Sequence, residues 1–262
     1  MSAEQRRVVE LNAEQRARLD LSKYPRSAKY DAAWVMSNMM GPNVLWLTEA
    51  LCQGMHLQPG MRVLDLGCGK ALSSIFLARE FGVQVWATDL WISATDNLQR
   101  IVAADAGAHV FPVHADARSL PYADGFFDAV VSLDAYHYFG TDDLYLGQHL
   151  ARLVRGGGEI GVVVPGLANE FAEVPGHLRP YWDVEFSTFH SPNWWKKHWK
   201  NTGKVTVAKA DRISEGWRDW MTWGEVCADA GVRPEIALRE AEMLRVDAGR
   251  NLGFTRLVAL RN

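Results

Sequence analysis

The sequence predicts an α/β domain with a mostly parallel β-sheet, and three observations support this prediction. From Met61 onward, short runs of aliphatic and β-branched residues alternate with segments of helical periodicity, the pattern of strands joined by crossover helices. A glycine-rich turn follows the first strand, and aspartates stand at the ends of the first three strands. The composition, with 48% hydrophobic residues among 262, suits one domain with a substantial core.

Seven segments have the composition of strands. The first five alternate with helices, and the last two lie near the C-terminus. Pro165 ends the fifth strand, since proline cannot donate a hydrogen bond to a sheet ladder. In chain order the predicted strands are 62–66, 83–88, 110–114, 127–133, 159–164, 205–207 and 254–260.

Four helices are predicted between these strands. Over 71–81 the apolar residues Leu72 and Ile75 fall on one helical face, and Gly82 is typical of the residue that ends a helix. The glycines at 156–158 are expected to form a turn before the fifth strand. The other predicted helices are 94–106, about 142–153 and 216–230.

Charge and cysteine usage exclude several classes of function. The formal net charge is −3 and the basic residues do not form long runs, so we expect no binding to nucleic acid. No run approaches the roughly 20 apolar residues of a membrane span, and the charged start has no signal-peptide core, so we expect a cytoplasmic protein. The three cysteines form no CxxC pair and the histidines show no ligand spacing, so no disulfide or metal site is expected.

The segment 63–71 carries the motif on which the functional interpretation depends. A strand ends in a turn with Gly67 and Gly69 and opens a helix, and glycine allows a backbone to approach a ligand closely. Asp89, at the end of the second strand, can accept both hydroxyls of a ribose. Asp116 ends the third strand, and ligands of open α/β sheets bind at this edge.

A dinucleotide is the competing ligand for this turn. Its fingerprint, G-x-G-x-x-G, requires a third glycine where Leu72 stands. The turn is instead a near match to D-x-G-x-G-x-G, with Ala71 in place of the last glycine. The set of aspartates at successive strand ends, Asp65, Asp89 and Asp116, favours this second pattern.

From about Arg62 to Pro165 the chain resembles the class I S-adenosylmethionine-dependent methyltransferases. The segments 120–128 and 153–158 are most similar to the small-molecule branch that includes enzymes of ubiquinone and menaquinone biosynthesis. The resemblance implies a Rossmann-like sheet of seven strands, mostly parallel with an antiparallel last strand and with helices on both faces. It also implies S-adenosylmethionine as the cofactor and S-adenosylhomocysteine as the product.

The same resemblance assigns residues to the cofactor. The first strand and its turn would hold the methionine part, the end of the second strand the ribose, and the end of the third strand the adenine. In that order the residues are Asp65, Gly67 and Gly69, then Asp89, then Asp116 with the backbone of Ala117, while Leu90 and Trp91 would flank the adenine ring.

The chain divides into four regions around this core. Residues 58–165 form the cofactor-binding core. Residues 1–57 read as helices of an N-terminal lid, with Tyr24 and Tyr30 as candidate cofactor contacts, although simple packing of a helix on the sheet explains them equally well. Residues 166–204 read as an insertion that caps the substrate, and the C-terminal strands and helix occupy 205–262.

The loop after the fourth strand is the predicted place of catalysis, because it borders the methyl group in this fold. Methyl transfer is an in-line displacement, so alignment supplies much of the rate, and a general base helps when the acceptor carries a proton. His137 is the candidate base, since imidazole titrates near neutral pH, and His190 is a second. Asp134 would orient His137 or contact the cofactor ammonium, and Tyr136 and Tyr138 would line the methyl channel.

The tryptophans suggest the nature of the acceptor. Those at 217, 220 and 223 recur at helical spacing and predict a core face. Four others lie in the insertion and are predicted to wall an apolar, aromatic acceptor pocket; they are Trp182, Trp194, Trp195 and Trp199.

The sequence therefore predicts a methyltransferase that uses S-adenosylmethionine and acts on a small-molecule acceptor. An NAD(P)-dependent oxidoreductase and a non-catalytic S-adenosylmethionine-binding protein are the alternatives. The acceptor atom, whether oxygen, nitrogen, carbon or sulfur, stays open, as does the choice between a monomer and a homo-oligomer.

Overall fold

A single sheet of seven strands organises residues 9–262, the part of the chain that the computed structural model describes. The strands are β1 Arg62–Leu66, β2 Gln84–Asp89, β3 Val110–His114, β4 Phe127–Leu133, β5 Val154–Leu167, β6 Val205–Arg212 and β7 Leu252–Arg261. Their order across the sheet is β3-β2-β1-β4-β5-β7-β6. The first five strands are parallel, whereas β7 runs antiparallel to both β5 and β6. The predicted mostly parallel sheet with an antiparallel last strand is confirmed.

Eight α-helices surround the sheet within the described residues. They are α1 Ala13–Leu19, α2 Ala32–Ser37, α3 Val44–Cys52, α4 Leu72–Phe81, α5 Ala94–Ala103, α6 Pro192–Asn201, α7 Gly216–Asp229 and α8 Pro234–Asp247. Gly82 ends α4 in the left-handed conformation, with φ of 66°, as its position predicted.

Two hydrophobic layers cover the two faces of the sheet, because successive side chains of a strand point to opposite faces. Val63 belongs to the layer that contains residues of α3, α4 and α5. Its neighbour Leu64 belongs to the opposite layer, which contains residues of α6 and of the segment between β4 and β5. A third cluster joins the N-terminal helices to α4, α7 and α8.

The segment between β4 and β5 departs from the predicted regular helix over 142–153. It forms a π-helical turn, Leu146–Leu150, and then a 3-10 turn, Ala151–Leu153. The fully buried Tyr145 immediately precedes these turns, and its hydroxyl donates to the carbonyl of Ala117. Tertiary contacts of this kind override local helix preference.

Strand β5 also differs from the prediction, because it begins at Val154 and runs through the glycines at 156–158. A register shift against β4 accommodates them between Phe127 and Ala129, as expected for a β-bulge. Helix α8 was not predicted from the sequence. Pro234 at its first helical position was the available indication, because proline is favoured there.

Candidate active site

A cavity of about 290 Å³, here called the strand-end cavity, opens at the carboxyl ends of β1, β2, β3 and β4. Parallel strands bring their carboxyl ends to one edge of the sheet, so residues distant in the sequence meet there. The loops after these strands and the N-terminal segment 38–44 form its wall. Among the residues proposed from the sequence, it brings together Gly67, Gly69, Asp89, Leu90, Trp91, Asp116, Ala117 and Asp134.

The glycine turn after β1 lies too close to its neighbours to accept side chains. Gly67 has φ of 73°, and a Cβ at this residue would overlap with the Cβ of Ala135. Gly69 has φ of 53°, and a Cβ there would lie 2.8 Å from Sδ of Met40. Ala71 adopts φ of 62° and is fully buried, so a small side chain is tolerated at this position. The turn therefore presents bare backbone to the cavity.

Asp89 is held rigidly at the end of β2. One carboxylate oxygen accepts from the backbone N–H of Gly69 at 2.8 Å. The other accepts from the N–H groups of Trp91 and Ile92 at 2.8 and 2.9 Å. A carboxylate oxygen has capacity for further hydrogen bonds, so Asp89 is preorganised to accept hydroxyl donors from a ligand in the cavity.

The ends of β2 and β3 form the mouth of the strand-end cavity. Asp116 is half-buried and accepts from the backbone N–H of Arg118 at 2.8 Å. The side chains of Leu90 and Trp91 are exposed, and the Trp91 ring meets the Tyr138 ring edge-on with centroids 5.7 Å apart. These exposed apolar groups at the rim are available to a planar ring.

Asp65 lies behind the glycine turn, outside the residues that line the cavity. It is fully buried and accepts hydrogen bonds of 2.6 Å from the hydroxyls of Ser73 and Ser74 at the start of α4. Burial raises its pKa to about 6. Its second oxygen has no hydrogen-bond partner among the described residues. In the structure Asp65 supports the turn, and a direct cofactor contact is not shown.

Tyr24 and Tyr30 do not reach the strand-end cavity, contrary to the prediction. Tyr24 is buried, stacks on Trp46 and donates its hydroxyl to Asp219 at 2.8 Å. Tyr30 stacks on Trp34. Both rings belong to the hydrophobic cluster of the N-terminal helices. The segment that does line the cavity follows them, at Asn38, Met40, Gly41, Pro42 and Val44, and its Gly-Pro pair was the available turn signal.

A second cavity of about 410 Å³ adjoins the first. Its volume lies within the range of small-molecule sites, about 300–1,000 Å³. The α7 and α8 helices, the insertion after β5 and the loop after β4 contribute its walls. Five residues line both cavities: Met40, Gly41, Pro42, Asp134 and Tyr138. The two cavities therefore meet at the loop after β4.

Asp134 stands at this junction in a left-handed conformation, with φ of 53°. Asp and Asn tolerate this conformation better than most residues. Burial, together with the charge of Glu240, raises the pKa of Asp134 to about 8. Burial also raises the pKa of Glu240, which accepts from the indole N–H of Trp220 at 2.9 Å. Glu240 was not predicted as a site residue, because α8 brings it to this site only through tertiary packing.

His137 lines the second cavity, whereas Tyr136 does not. The imidazole is buried, and its Nδ1 has no hydrogen-bond partner among the described residues. Burial lowers the pKa of His137 to about 4, so the ring is neutral at pH 7. Tyr136 is fully buried in the core, packed against Trp195 and Trp199. The expectation that Tyr136 lines a methyl channel is therefore wrong, while Tyr138 lines both cavities.

None of the four tryptophans that were predicted to wall the acceptor pocket lines the second cavity, whereas two that were predicted as core do. Trp195 and Trp199 of α6 are fully buried in the layer opposite α3 and α4. Trp182, Trp194, Trp195 and Trp199 are all absent from the residues that line the second cavity. Trp220 and Trp223, predicted as core, are buried and also line that cavity. Helical spacing identified a buried face but could not show that this face borders a cavity.

Other sequence predictions concern groups away from the cavities. His190 stacks on Trp194 with centroids 3.6 Å apart and contacts Glu170, and it lines neither cavity. Among residues 9–262 no cluster of His, Cys, Asp or Glu has the arrangement of a metal site. All three cysteines are free and buried. No helix in the described part of the chain is long and apolar enough to cross a membrane.

Comparison with known proteins matches the core of this chain to one family. Residues 63–158 match the methyltransferase domain. The 27-O-demethylrifamycin SV methyltransferase of Amycolatopsis mediterranei is 32% identical over 117 residues, which are 44% of this chain and 43% of that protein. The sarcosine/dimethylglycine N-methyltransferase of Halorhodospira halochloris is 26% identical over 190 residues, 72% of this chain and 64% of that protein. This chain thus spans 43% and 64% of the length of these two relatives.

A solved structure has the same fold over nearly the whole chain. The geranyl diphosphate C-methyltransferase of Streptomyces coelicolor A3(2), crystallised with Mg²⁺, geranyl-S-thiolodiphosphate and S-adenosylhomocysteine, superposes with a TM-score of 0.68. The match covers 98% of this chain and 88% of that chain, at 16% sequence identity. At this identity the likeness is one of fold.

Proposed function

We propose that this chain, whose residues 63–158 match the methyltransferase domain, transfers the methyl group of S-adenosylmethionine to a small organic acceptor. One observation carries the proposal. The strand-end cavity adjoins a second cavity of small-molecule size, and the two meet at Asp134 and Tyr138. A transfer reaction between two bound molecules needs this arrangement, because the reacting atoms must be held in line at one point.

The residues of the strand-end cavity fit S-adenosylmethionine. The bare backbone of Gly67 and Gly69 allows close approach of the methionine part. The fixed carboxylate of Asp89 can accept the two ribose hydroxyls. Asp116 with the Ala117 backbone borders the position for an adenine. Leu90 and Trp91, exposed at the mouth, would pack on its faces.

Asp65 is proposed to act on the methionine part through the turn that it supports. When bound, S-adenosylmethionine supplies an electrophilic methyl group on a sulfonium. The ring of Tyr138 borders both cavities, and an aromatic face favours a cation. The residues of the junction therefore align and enclose the reacting groups, which is the main contribution that a protein makes to such a displacement.

Two side chains beside the acceptor can take its proton. Asp134 has a pKa near 8, which is well matched to proton transfer around neutral pH. His137 is neutral and faces the acceptor, but its pKa near 4 makes it the weaker base. We therefore assign proton acceptance to Asp134 and a hydrogen bond with the acceptor to His137.

The N-terminal segment and the insertion complete the site in this proposal. Residues 38–44 close the strand-end cavity on one side, which is the part of the lid that contacts the cofactor. Five residues of the insertion, between positions 181 and 189, line the second cavity and cap the acceptor. Both segments would exclude water from the junction.

A transfer assay tests the proposal. The purified chain is incubated with methyl-14C-labelled S-adenosylmethionine and a panel of amines, phenols, thiols and carboxylic acids, and label is followed into each acceptor. We expect label in at least one class, and its loss in Asp134→Asn. Tight binding of S-adenosylhomocysteine without label transfer across the panel would favour the non-catalytic binding protein.

A further inference from the structure

The charged residues that line the second cavity differ in how exposed they are. Two acidic and two basic side chains that line it are exposed, so the signs balance at the rim; they are Asp183, Glu185, Arg233 and Arg239. Two further carboxylates, Asp134 and Glu240, are less exposed and line the inner part. The interior therefore has acidic groups and no balancing basic group among the described residues that line it.

The two arginines are held at the rim by backbone carbonyls. Arg233 donates to the carbonyl of Met40 at 2.7 Å, and Arg239 donates to that of Tyr181 at 3.4 Å. Neither guanidinium forms an ion pair with Asp134 or Glu240 within the described part of the chain. The inner carboxylates therefore have no ion-pair partner among the described residues, and the charge of Arg233 only partly offsets the rise in the pKa of Glu240.

A carboxylate in this position is costly to ionise unless a cation binds beside it. Asp134 accepts no side-chain hydrogen bond from the described residues, and its Oδ2 rests against Gly41, where a Cβ would lie 2.5 Å away. From the described residues, Glu240 accepts only the indole N–H of Trp220. Burial is the main cause of the raised pKa of both groups, so a cation bound beside them would favour their ionised forms.

The walls between these carboxylates are aromatic. The indoles of Trp220 and Trp223 are fixed by hydrogen bonds to Glu240 and to the carbonyl of Gly41. Rings of the insertion and of the loop after β4 complete the wall: Tyr138, Phe186 and Phe189. The buried His137 adds an Nδ1 that has no hydrogen-bond partner in residues 9–262. Aromatic faces combined with unpaired carboxylates are the usual recognition chemistry for an organic cation.

We propose that the methyl acceptor is a protonatable amine with an apolar or aromatic body, whose nitrogen binds between Asp134 and Glu240. This inference rests on the function proposed above and names the substrate class of the same site. An acceptor with a phosphate or carboxylate in the interior is disfavoured, because that anion would lie beside the carboxylates of Asp134 and Glu240 and would be repelled by them. Anionic groups can be accommodated only at the rim, near Arg233 and Arg239.

The proton balance of the reaction follows from this placement. The bound ammonium gives one proton to the carboxylate of Asp134 and becomes a neutral amine with a free electron pair. The amine nitrogen then forms a bond to the methyl carbon while the carbon–sulfur bond breaks and its electron pair remains on sulfur. The product is the methylated ammonium, and Asp134 returns its proton to solvent, so one proton is released in each turnover.

A matched set of ligands tests the charge preference. The chain, saturated with S-adenosylhomocysteine, is titrated by calorimetry with phenethylamine, 2-phenylethanol and 3-phenylpropanoate, and then with the corresponding amine, alcohol and acid of an indole body. We expect the amine to bind at least tenfold more tightly than its alcohol in at least one series, with the acid weakest. The affinity for the amine should rise as the pH increases toward 8, because Asp134 then ionises more readily.

Two variants connect this preference to the interior carboxylates. Glu240→Gln retains an acceptor for the Trp220 N–H and should reduce the amine-to-alcohol preference at least fivefold. Glu235→Gln, on the same helix but exposed and outside the cavity lining, should leave it unchanged. Equal binding of amine and alcohol in both series, stronger binding of the acid, or no measurable amine binding would overturn the inference. Failure of S-adenosylhomocysteine to bind in the same samples would instead overturn the proposed function.

Discussion

Gly67 provides the sharpest test of how the glycine turn packs against the loop after β4. Its φ of 73° is in the left-handed region, which costs a residue with a Cβ about 1–2 kcal/mol. A Cβ at Gly67 would also overlap with the Cβ of Ala135, and overpacking of this kind typically costs about 1–3 kcal/mol. We therefore expect Gly67→Ala to lower the free energy of unfolding by about 2–5 kcal/mol.

Two further variants separate the contributions of backbone and packing. Gly157 has the same φ of 73°, but a Cβ there would have no heavy atom within 4 Å, so Gly157→Ala should show the backbone cost alone. Ala135→Gly removes the opposing Cβ. In a double-mutant cycle, Gly67→Ala combined with Ala135→Gly should therefore recover the packing cost, with a coupling energy of about 1–3 kcal/mol.

Urea unfolding followed by tryptophan fluorescence measures these free energies. Titration with S-adenosylhomocysteine measures the effect on the strand-end cavity, which Gly67 and Ala135 both line. Ligand affinity should fall in Gly67→Ala and recover in the double variant. If Gly67→Ala lowers the free energy of unfolding no more than Gly157→Ala does, or if the cycle shows no coupling, the inferred packing of the turn against Ala135 is wrong.

Three other substitutions test the site. Asp89→Ala should weaken the binding of S-adenosylhomocysteine, measured by calorimetry, about 100-fold or ~3 kcal/mol, because the acceptor for the ribose hydroxyls and the anchor of the glycine turn are both lost. Unchanged affinity would remove the ribose assignment. His137→Ala should lower kcat at least tenfold with the acceptor found by the transfer assay, while S-adenosylhomocysteine affinity stays within twofold; wild-type turnover would show that the imidazole is not needed. The pKa of Asp134 is raised to about 8 in the folded chain against about 3.9 when unfolded, so the folded state holds the extra proton and stability falls as the pH rises from about 4 to about 8. Asp134→Asn should therefore raise Tm, and the increase should be larger at pH 8 than at pH 5. The control Asp105→Asn changes an exposed aspartate with φ of 50° and should show no such trend. A Tm difference for Asp134→Asn that does not depend on pH would contradict the burial of the Asp134 carboxylate.

The sheet and the strand-end residues could be predicted because their signals are local. A β-branched run, a glycine turn and an aspartate lie within a few residues of one another, and the parallel topology brings the strand ends together. Gly67, Gly69, Asp89 and Asp116 therefore line the cavity as expected. Asp65 carries the same local signal, yet the alternation of a strand points it toward Ser73 and Ser74.

The acceptor side could not be predicted because its residues meet only through tertiary packing. Glu240 comes from a helix that the sequence reading missed, and Trp220 reaches the cavity from a face that has the spacing of a core. Conversely, Trp199 lies among polar residues in the sequence, but its side chain is fully buried in the hydrophobic layer on one face of the sheet. Periodicity identifies which side chains are buried and leaves open whether they border a cavity or fill a core.

The central claim is that the strand-end cavity binds S-adenosylmethionine. Calorimetric titration of the purified chain with S-adenosylmethionine, S-adenosylhomocysteine and NADH tests it most directly. We predict that both sulfur compounds bind with one site per chain, and that NADH does not compete with them. Binding of NADH in preference to both would contradict the account and support a nucleotide-dependent oxidoreductase.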